Sequence, residues 1–232
     1  MMTLLSYKTR QSYGLAICKM FGGSPKILLC RKRLTYEFIE FVMGKYSVSD
    51  WTKIIDLFDK MTHDEKLYIL SNNSSMMWWK LMLNNEIDNP RFKRGLKRFY
   101  ELDKERLGKV VADSVNGMPI WEMPKGRPNS EEIPYETAIR EVEEEIKMTP
   151  LHYNLLFDHM DFSTRDYGIT YRMRFFIAEA MIEPKNTFKA LSSCEIDALS
   201  WCGMDDIARM PKTPFNTFLI KVLERYIELK SE

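Results

Sequence analysis

This chain is poor in the residues that build disulfides, zinc sites and histidine metal centres. It contains four cysteines and three histidines in 232 residues. The cysteines are scattered without Cys-x-x-Cys spacing, at Cys18, Cys30, Cys194 and Cys202. We therefore expect reduced thiols in a cytoplasmic protein, and neither a disulfide framework nor a zinc site. The histidines also lack the spacing of metal ligands.

The chain also lacks long apolar runs and a dominant sign of charge. No run is long enough to span a bilayer, and Lys8 and Arg10 follow Leu4-Leu5 too soon for a signal peptide. The net charge is only +1, so any surface for nucleic acid must be a local patch. We expect a globular protein with no membrane partner, and the sequence leaves a homo-oligomer open.

The apolar pattern divides the chain into blocks. Two short apolar runs, 12–20 and 26–34, flank a Phe-Gly-Gly-Ser-Pro turn and predict a pair of strands. Apolar residues then recur at helical spacing, before strand patterns return near 120–124, 153–162, 168–182 and 199–201, and a final helix is predicted over 214–229. These blocks predict an α+β domain, residues 1–35 and 115–232, interrupted by a helical insertion, residues 36–114.

The stretch 126–148 carries the pattern most specific for chemistry. Glu141, Glu144 and Glu145 stand at i, i+3 and i+4, so on a helix they share one face. Like charges stacked this closely repel, and a divalent cation removes the repulsion. Carboxylate oxygens suit Mg²⁺ or Mn²⁺. The opposite face repeats apolar residues at four-residue steps, which predicts core packing.

The same stretch resembles the Nudix box, Gly-x5-Glu-x7-Arg-Glu-U-x-Glu-Glu-x-Gly-U, in which U is a bulky aliphatic residue. The positions in register are Gly126, Glu132, Arg140, Glu141, Val142, Glu144 and Glu145, with Met148 in the last apolar place. Lys147 stands where the family has glycine. That glycine would end the helix in the left-handed conformation, which costs a lysine roughly 1 kcal/mol. A Glu-rich helix face is often only solvated, but this many matches favour the family.

Further phrases are similar to the Nudix decapping enzymes of large cytoplasmic DNA viruses, the asfarviruses among them. They are Ser12-Tyr-Gly-Leu-Ala-Ile-Cys, Leu29-Cys-Arg-Lys-Arg, Met76-Met-Trp-Trp and Trp121-Glu-Met-Pro-Lys-Gly-Arg-Pro. The resemblance covers nearly the whole chain, including the helical insertion. It implies a Nudix α/β/α sandwich with a mixed sheet, a location in the cytoplasm, and hydrolysis of the mRNA cap with release of 7-methyl-GDP.

Two other functions stay open at this point. The same site could act on diphosphoinositol polyphosphates or dinucleoside polyphosphates. The chain could also be an RNA-binding module with a degenerate site, although the intact carboxylate set argues against this.

The resemblance implies roles for individual residues of the box. Glu141, Glu144 and Glu145 are the expected metal ligands, the last two also being catalytic. Gly126, Glu132 and Arg140 are expected to support the loop, with a second metal as an alternative for Glu132. Lys125 is a candidate for phosphate binding, and a solvated lysine is an equal alternative.

A general base should come from elsewhere if the metal occupies all three helix carboxylates. Glu195 lies in the loop before the predicted strand 199–201, a region that supplies the base in related decapping enzymes. An ordinary loop carboxylate is an equal interpretation of Glu195. Glu179 and Glu183 are weaker candidates.

Residues 91–100 form a basic stretch with interleaved aromatic residues and no acidic residue. The expected RNA contacts are Lys93, Arg94, Lys97 and Arg98. Alternatively, the charges are only solvated while Phe92, Leu96 and Phe99 face the core of the insertion, and both descriptions can hold at once. Of the adjacent Trp78 and Trp79 only one can face that core. The other could stack on a methylated guanine, although core packing is the better interpretation of each alone.

Overall fold

The computed structural model describes residues 8–71, 90–166, 168–182 and 195–232. The chain divides into two compact units. The sheet unit comprises Met1–Arg31 and Trp121–Glu232, and the helical unit comprises Lys32–Ile120. The phrase Met76-Met-Trp-Trp, with Trp78 and Trp79, lies outside the described residues, as do Glu183 and Cys194.

The strands are β1 (Lys8–Phe21), β2 (Ser24–Lys32), β3 (Trp121–Glu122), β4 (Lys125–Gly126), β5 (Tyr153–Asp166), β6 (Ile169–Ala180) and β7 (Ile196–Cys202). The helices are α1 (Tyr36–Val42), α2 (Trp51–Lys60), α3 (His63–Leu70), α4 (Pro90–Glu101), α5 (Lys104–Asp113), α6 (Pro134–Ile146), α7 (Met204–Ala208) and α8 (Pro214–Ser231), with a 3-10 turn at Pro150–His152. Among these helices, none combines the length and the apolar character that a bilayer crossing requires.

The described strands form one mixed sheet in the order β3-β2-β1-β6-β5, with β4 paired to β1 and β7 paired to β2. The predicted first pair of strands is confirmed as the antiparallel hairpin β1–β2, whose turn uses positive φ angles at Gly22 and Gly23. β1 and β6 are parallel, whereas β5 and β6 form a long antiparallel hairpin. The run near 120–124 forms two short strands on either side of Pro124, because a proline cannot donate to a strand ladder.

Each face of the sheet is covered by one long helix. Since strand side chains alternate between faces, Leu15 and Ile17 of β1 pack with α6, and Ala16 and Cys18 pack with α8. The apolar face predicted for α6 is confirmed, because its residues at four-residue steps are at most 2% exposed. The result is the α/β/α sandwich expected of an α+β protein, with α6 and its carboxylates on one face of the sheet.

The helical unit has a core of its own, built from α1 to α5. Phe41 is central to it, stacking on Tyr46 at 4.8 Å between ring centroids and meeting Phe58 edge-on at 5.0 Å. Leu96 and Phe99 of α4 also pack in this core, as the sequence predicted, while the side chain of Phe92 lies outside the description.

The helical unit extends beyond the insertion predicted at 36–114, because both linkers pack on α3 and on each other. Thr35 donates its amide and its hydroxyl to the buried carboxylate of Glu65, at 2.6 and 2.9 Å. The neighbouring Lys66 donates to the carbonyl of Val115. The amide of Lys32 donates to the carbonyl of Ile120 at 2.8 Å, which joins the two linkers directly.

Candidate active site

The residues at the two ends of helix α6 explain where it begins and where it ends. Pro134 occupies its first turn, where a missing N–H costs nothing. Lys147 follows its last residue with φ 58° and ψ 26°, so the helix ends in the left-handed conformation even though lysine replaces the glycine of the family pattern. The Lys147 ammonium donates to the carbonyl of Glu144 at 3.1 Å, which partly compensates for the strain.

Gly126 lets the carboxylate of Glu141 lie directly on the backbone of β4. A Cβ at this position would lie 2.0 Å from the carboxyl carbon of Glu141. The adjacent strand has the same requirement, since a Cβ on Gly14 would lie 2.2 Å from the carbonyl oxygen of Pro124. No sequence pattern singles out Gly14, because its role depends on the pairing of β1 with β4.

The other two box carboxylates differ in their surroundings. Glu145 is 5% exposed and accepts a hydrogen bond from the amide of Lys125 at 3.2 Å. Glu141 and Glu145 therefore converge on the two residues of β4. The side chain of Glu144 is 59% exposed and reaches the same region from the solvent side.

Arg140 connects the loop before α6 to the carboxylate face of the helix. Its Nε and Nη2 donate to the two carboxylate oxygens of Glu132 at 2.7 and 3.0 Å. Its Nη1 donates to Glu141 at 2.8 Å and to Glu144 at 2.9 Å, and Nη2 also donates to the carbonyl of Arg127 at 2.9 Å. A planar guanidinium suits this bridging position, because its donors point outward in fixed directions.

The charges of this network shift the pKa values of its members. The Arg140 bond and the amide of Asn129 lower the pKa of Glu132 from 4.5 to about 2. Burial raises the pKa of Glu141, and the charges of Glu144 and Glu195 act in the same direction, while Arg140 opposes them. A nearby positive charge would therefore stabilise the ionised form of Glu141.

The carboxylates of α6 are candidate ligands for a divalent cation. Among the described residues, no group of three or more His, Cys, Asp or Glu side chains is already gathered as a metal cage. The guanidinium of Arg140 bridges Glu141 and Glu144 instead. The chemistry of the donors nevertheless fits a hard cation, since all three are carboxylates on one side of α6 and two of them reach β4.

Lys125 is more constrained than the sequence indicated. Its ammonium forms an ion pair with the carboxylate of Glu122, and both side chains are largely buried. The sequence analysis did not assign a role to Glu122. Its i, i+3 spacing from Lys125 was visible, but the contact depends on the turn between β3 and β4.

The candidate bases occupy different places. Glu195 is exposed immediately before β7 and is close enough to Glu141 for its charge to raise the pKa of Glu141. Glu179 accepts from the Tyr226 hydroxyl at 2.8 Å and from the Lys230 ammonium at 3.0 Å, both on α8. Because α8 and α6 cover opposite faces of the sheet, Glu179 does not face the box carboxylates.

The predicted RNA-binding cations lie on α4 in the helical unit, and they divide into two pairs. Arg94 donates to the carbonyl of Met43 at 3.1 Å, and Arg98 donates to the carbonyls of Gly44, at 2.5 Å, and Tyr46. These two arginines therefore hold the loop after α1. Lys93 and Lys97 are exposed, and Lys97 lies 3.9 Å from Glu101 on the same helix.

Comparison with known proteins identifies the class. A family model for the NUDIX domain matches residues 110–226, about half of the chain, so the chain belongs to the Nudix family of hydrolases. Enzymes of this family generally use divalent metals such as Mg²⁺ or Mn²⁺.

Particular relatives match beyond that domain. The mRNA-decapping protein g5R of African swine fever virus, isolate Pretoriuskop, is 28% identical over 229 residues, covering 90% of this chain and 89% of the relative. The same protein from isolate Warthog/Namibia is 28% identical over 222 residues, covering 88% and 89%. The crystal structure of a C. elegans Ap4A hydrolase binary complex is 13% identical with a TM-score of 0.49, covering 94% of this chain and 98% of that one.

Proposed function

We propose that this chain hydrolyses the 5′ cap of mRNA with Mg²⁺ or Mn²⁺ held by Glu141, Glu144 and Glu145. The observation that supports this most is the convergence of Glu141 and Glu145 on β4, beside a third carboxylate of α6. Similarity to decapping proteins over 90% of the chain, helical unit included, supports the substrate. Since capped mRNA is translated in the cytoplasm, the activity belongs there.

In the proposed reaction, water attacks a phosphorus of the triphosphate bridge. The bond from that phosphorus to a bridging oxygen breaks, so 7-methyl-GDP leaves and the RNA keeps a 5′-monophosphate. A bound divalent cation supplies neutralisation of phosphate oxygens and polarisation of the leaving group. The protein contributes position and charge, which dominate catalysis of phosphoryl transfer.

Arg140 is a competitor for the proposed cation at two of its three ligands. Its Nη1 contacts both Glu141 and Glu144, so a bound cation would have to replace Arg140 as the positive partner of these oxygens. Arg140 also donates to Glu132 and to the Arg127 carbonyl, which are not among the three proposed ligands of the cation. Arg140 does not compete for Glu145, which accepts a hydrogen bond from the backbone amide of Lys125.

Glu195 is the proposed general base. Its carboxylate lies within electrostatic reach of Glu141, which supports a position at the edge of the metal face. It would accept a proton from the attacking water, a role that needs a carboxylate not already held by the cation. Lys125 is the proposed phosphate contact, and its ammonium would share its donors between Glu122 and a phosphate oxygen.

The RNA body is proposed to bind the exposed lysines of α4, Lys93 and Lys97. Arg94 and Arg98 add positive charge to the same helix, but their bonds to carbonyls of the preceding loop give them a structural function. If all four cations were replaced together, a loss of RNA binding could not be distinguished from a loss of stability. The two pairs must be changed separately.

The Lys93→Ala, Lys97→Ala double variant should keep the stability of the wild type and bind RNA less tightly. Removing two phosphate contacts should reduce the log–log salt slope by up to about 1.4, at about 0.7 per contact on single strands. The matched variant Arg98→Ala should instead lower the free energy of unfolding by about 1–3 kcal/mol. An unchanged salt slope in the lysine variant would place the RNA elsewhere.

The proposed function is tested by comparing three substrates under the same conditions. Cap-labelled RNA, a diphosphoinositol polyphosphate and a dinucleoside polyphosphate are each incubated with the protein and Mn²⁺, and the products are identified. Release of 7-methyl-GDP from the RNA with the highest kcat/KM is expected. Turnover of only one of the small substrates would overturn the decapping proposal, and RNA binding without any turnover would leave only a binding module.

A further inference from the structure

The sheet unit carries an open groove that the proposed chemistry does not use. Its volume is about 400 Å³, and it is lined by three consecutive residues on each of three adjacent strands. These residues are Gln11, Ser12 and Tyr13 of β1, Asp161, Phe162 and Ser163 of β5, and Arg172, Met173 and Arg174 of β6.

The groove opens on the face of the sheet that also carries α6. Phe162 and Met173 point to the other face, where they pack with the core under α8. Tyr13 packs with the core under α6. Because side chains alternate along each strand, Arg172 and Ser163 lie on the same face as Tyr13.

One row of paired residues links this groove to the box glycine. Gly126 pairs with Tyr13, Tyr13 pairs with Arg174, and Arg174 pairs with Asp161 on the next strand. Neighbouring strands lie about 4.8 Å apart, so β6 is about 10 Å from Gly126 across the sheet. A substrate cleaved at the α6 carboxylates could therefore extend into this groove. The part of the substrate in the groove would lie about 10 Å from Gly126 and would take no part in the reaction.

The two arginines of the groove differ in whether an acidic side chain neutralises them. Arg174 forms a two-pronged ion pair with Asp161, at 2.8 and 2.9 Å, which neutralises both side chains. Arg172 is exposed, and no side chain in the described part of the chain pairs with its guanidinium. Its cross-strand neighbours are Gln11 and Ser163, both uncharged hydrogen-bonding residues. Arg172 is thus the uncompensated cation of a polar groove, and a guanidinium is the side chain best matched to a phosphate.

We propose that this groove binds a phosphate group of the substrate that lies beyond the bond to be cleaved, with Arg172 as its principal partner. The proposal rests on the proposed function for the position of the cleaved bond. In a capped RNA, the phosphate is a phosphodiester 3′ of the first nucleotide. In an inositol polyphosphate, it is a phosphate on another ring position. The shared chemistry is an Arg172–phosphate contact in both cases.

The test compares Arg172→Ala and Arg172→Lys with Arg209→Ala, which removes an exposed arginine just after α7. The substrates are a cap dinucleotide, which has no phosphodiester, a capped trinucleotide, which has one, and a diphosphoinositol polyphosphate. Arg172→Ala should raise KM for the capped trinucleotide about tenfold, equivalent to about 1.4 kcal/mol, and leave kcat unchanged. KM for the dinucleotide should not change, Arg172→Lys should recover part of the loss, and Arg209→Ala should match the wild type.

The other outcomes identify which substrate supplies the phosphate, and they distinguish a failure of the groove proposal from a failure of the decapping proposal. A rise in KM confined to the inositol compound would support the phosphate contact and identify that source. Equal effects of Arg172→Ala on all three substrates, or no effect on any, would overturn the proposal. If the wild type cleaves no capped substrate, binding of a fluorescent 5′-phosphorylated trinucleotide decides: weaker binding by Arg172→Ala supports the groove, and equal binding refutes it.

Discussion

Replacing Gly126 by alanine should disable the active site without unfolding the protein. The new Cβ would lie 2.0 Å from the carboxyl carbon of Glu141, while real Cβ contacts shorter than 3.0 Å essentially do not occur, so the carboxylate must move by at least about 1 Å. The backbone of Gly126 is not among the positive-φ glycines, so alanine adds no backbone strain there. The end of a glutamate side chain can move at little cost in stability.

The expected loss follows from that displacement. A misplacement of about 1 Å at a catalytic site can cost about 10²-fold in rate, so kcat/KM should fall by about that factor. The free energy of unfolding, measured by chemical denaturation, should change by less than about 1 kcal/mol. Gly108→Ala is the matched control, since its Cβ meets nothing within 4 Å. In the middle of α5 it should stabilise the protein by about 0.5–1 kcal/mol and leave activity intact.

A double-mutant cycle tests the cause. If Gly126→Ala acts only by moving Glu141, it should reduce activity no further in a Glu141→Ala background. Additive losses would mean that Gly126 acts through another contact. Wild-type activity of Gly126→Ala would refute the assignment of Glu141 to the site.

Three further predictions concern the end of α6, the loop before it and the base. Lys147→Gly should stabilise the protein by up to about 1 kcal/mol in denaturant titrations, because φ is 58° there, whereas Lys147→Ala should not. The folded-state pKa of Glu132 is lowered from 4.5 to about 2, so its contribution to stability is present above pH 4.5 and is lost as the pH falls towards 2. The difference in unfolding free energy between the metal-free wild type and Glu132→Gln should therefore shrink across that window, and a constant difference would contradict the pairing with Arg140. Glu195→Gln should lower kcat by about 10²–10⁴-fold with little change in KM, and near-normal single-turnover rates would remove Glu195 from the mechanism.

Local patterns in the sequence predicted the features that depend on nearby residues. The two faces of α6 follow from a 3.6-residue period, which is visible in the spacing of its apolar and acidic residues. The hairpin β1–β2 follows from two apolar runs around a Gly-Gly turn. Each of these depends on residues within about one element of the chain.

Features that depend on distant backbone atoms could not be predicted in the same way. A basic face on α4 suggested that all four cations are available to RNA. Arg94 and Arg98 also bind carbonyls 51 to 54 residues earlier in the chain, and no periodicity reveals these bonds. The ion pair of Lys125 with Glu122, and the close approach at Gly14, likewise depend on where β3 and β4 join the sheet.

We propose that one carboxylate face of α6 holds the metal that is needed for cleavage of the cap. The most direct measurement compares Glu144→Gln with Glu143→Gln, which removes the same charge from the same helix at an exposed position outside the box pattern. Release of 7-methyl-GDP from cap-labelled RNA is followed as Mn²⁺ is titrated. We predict that Glu143→Gln matches the wild type, and that Glu144→Gln loses release at every Mn²⁺ concentration while its unfolding free energy is unchanged. Equal activity of the two variants would exclude Glu144 as a ligand of the catalytic metal.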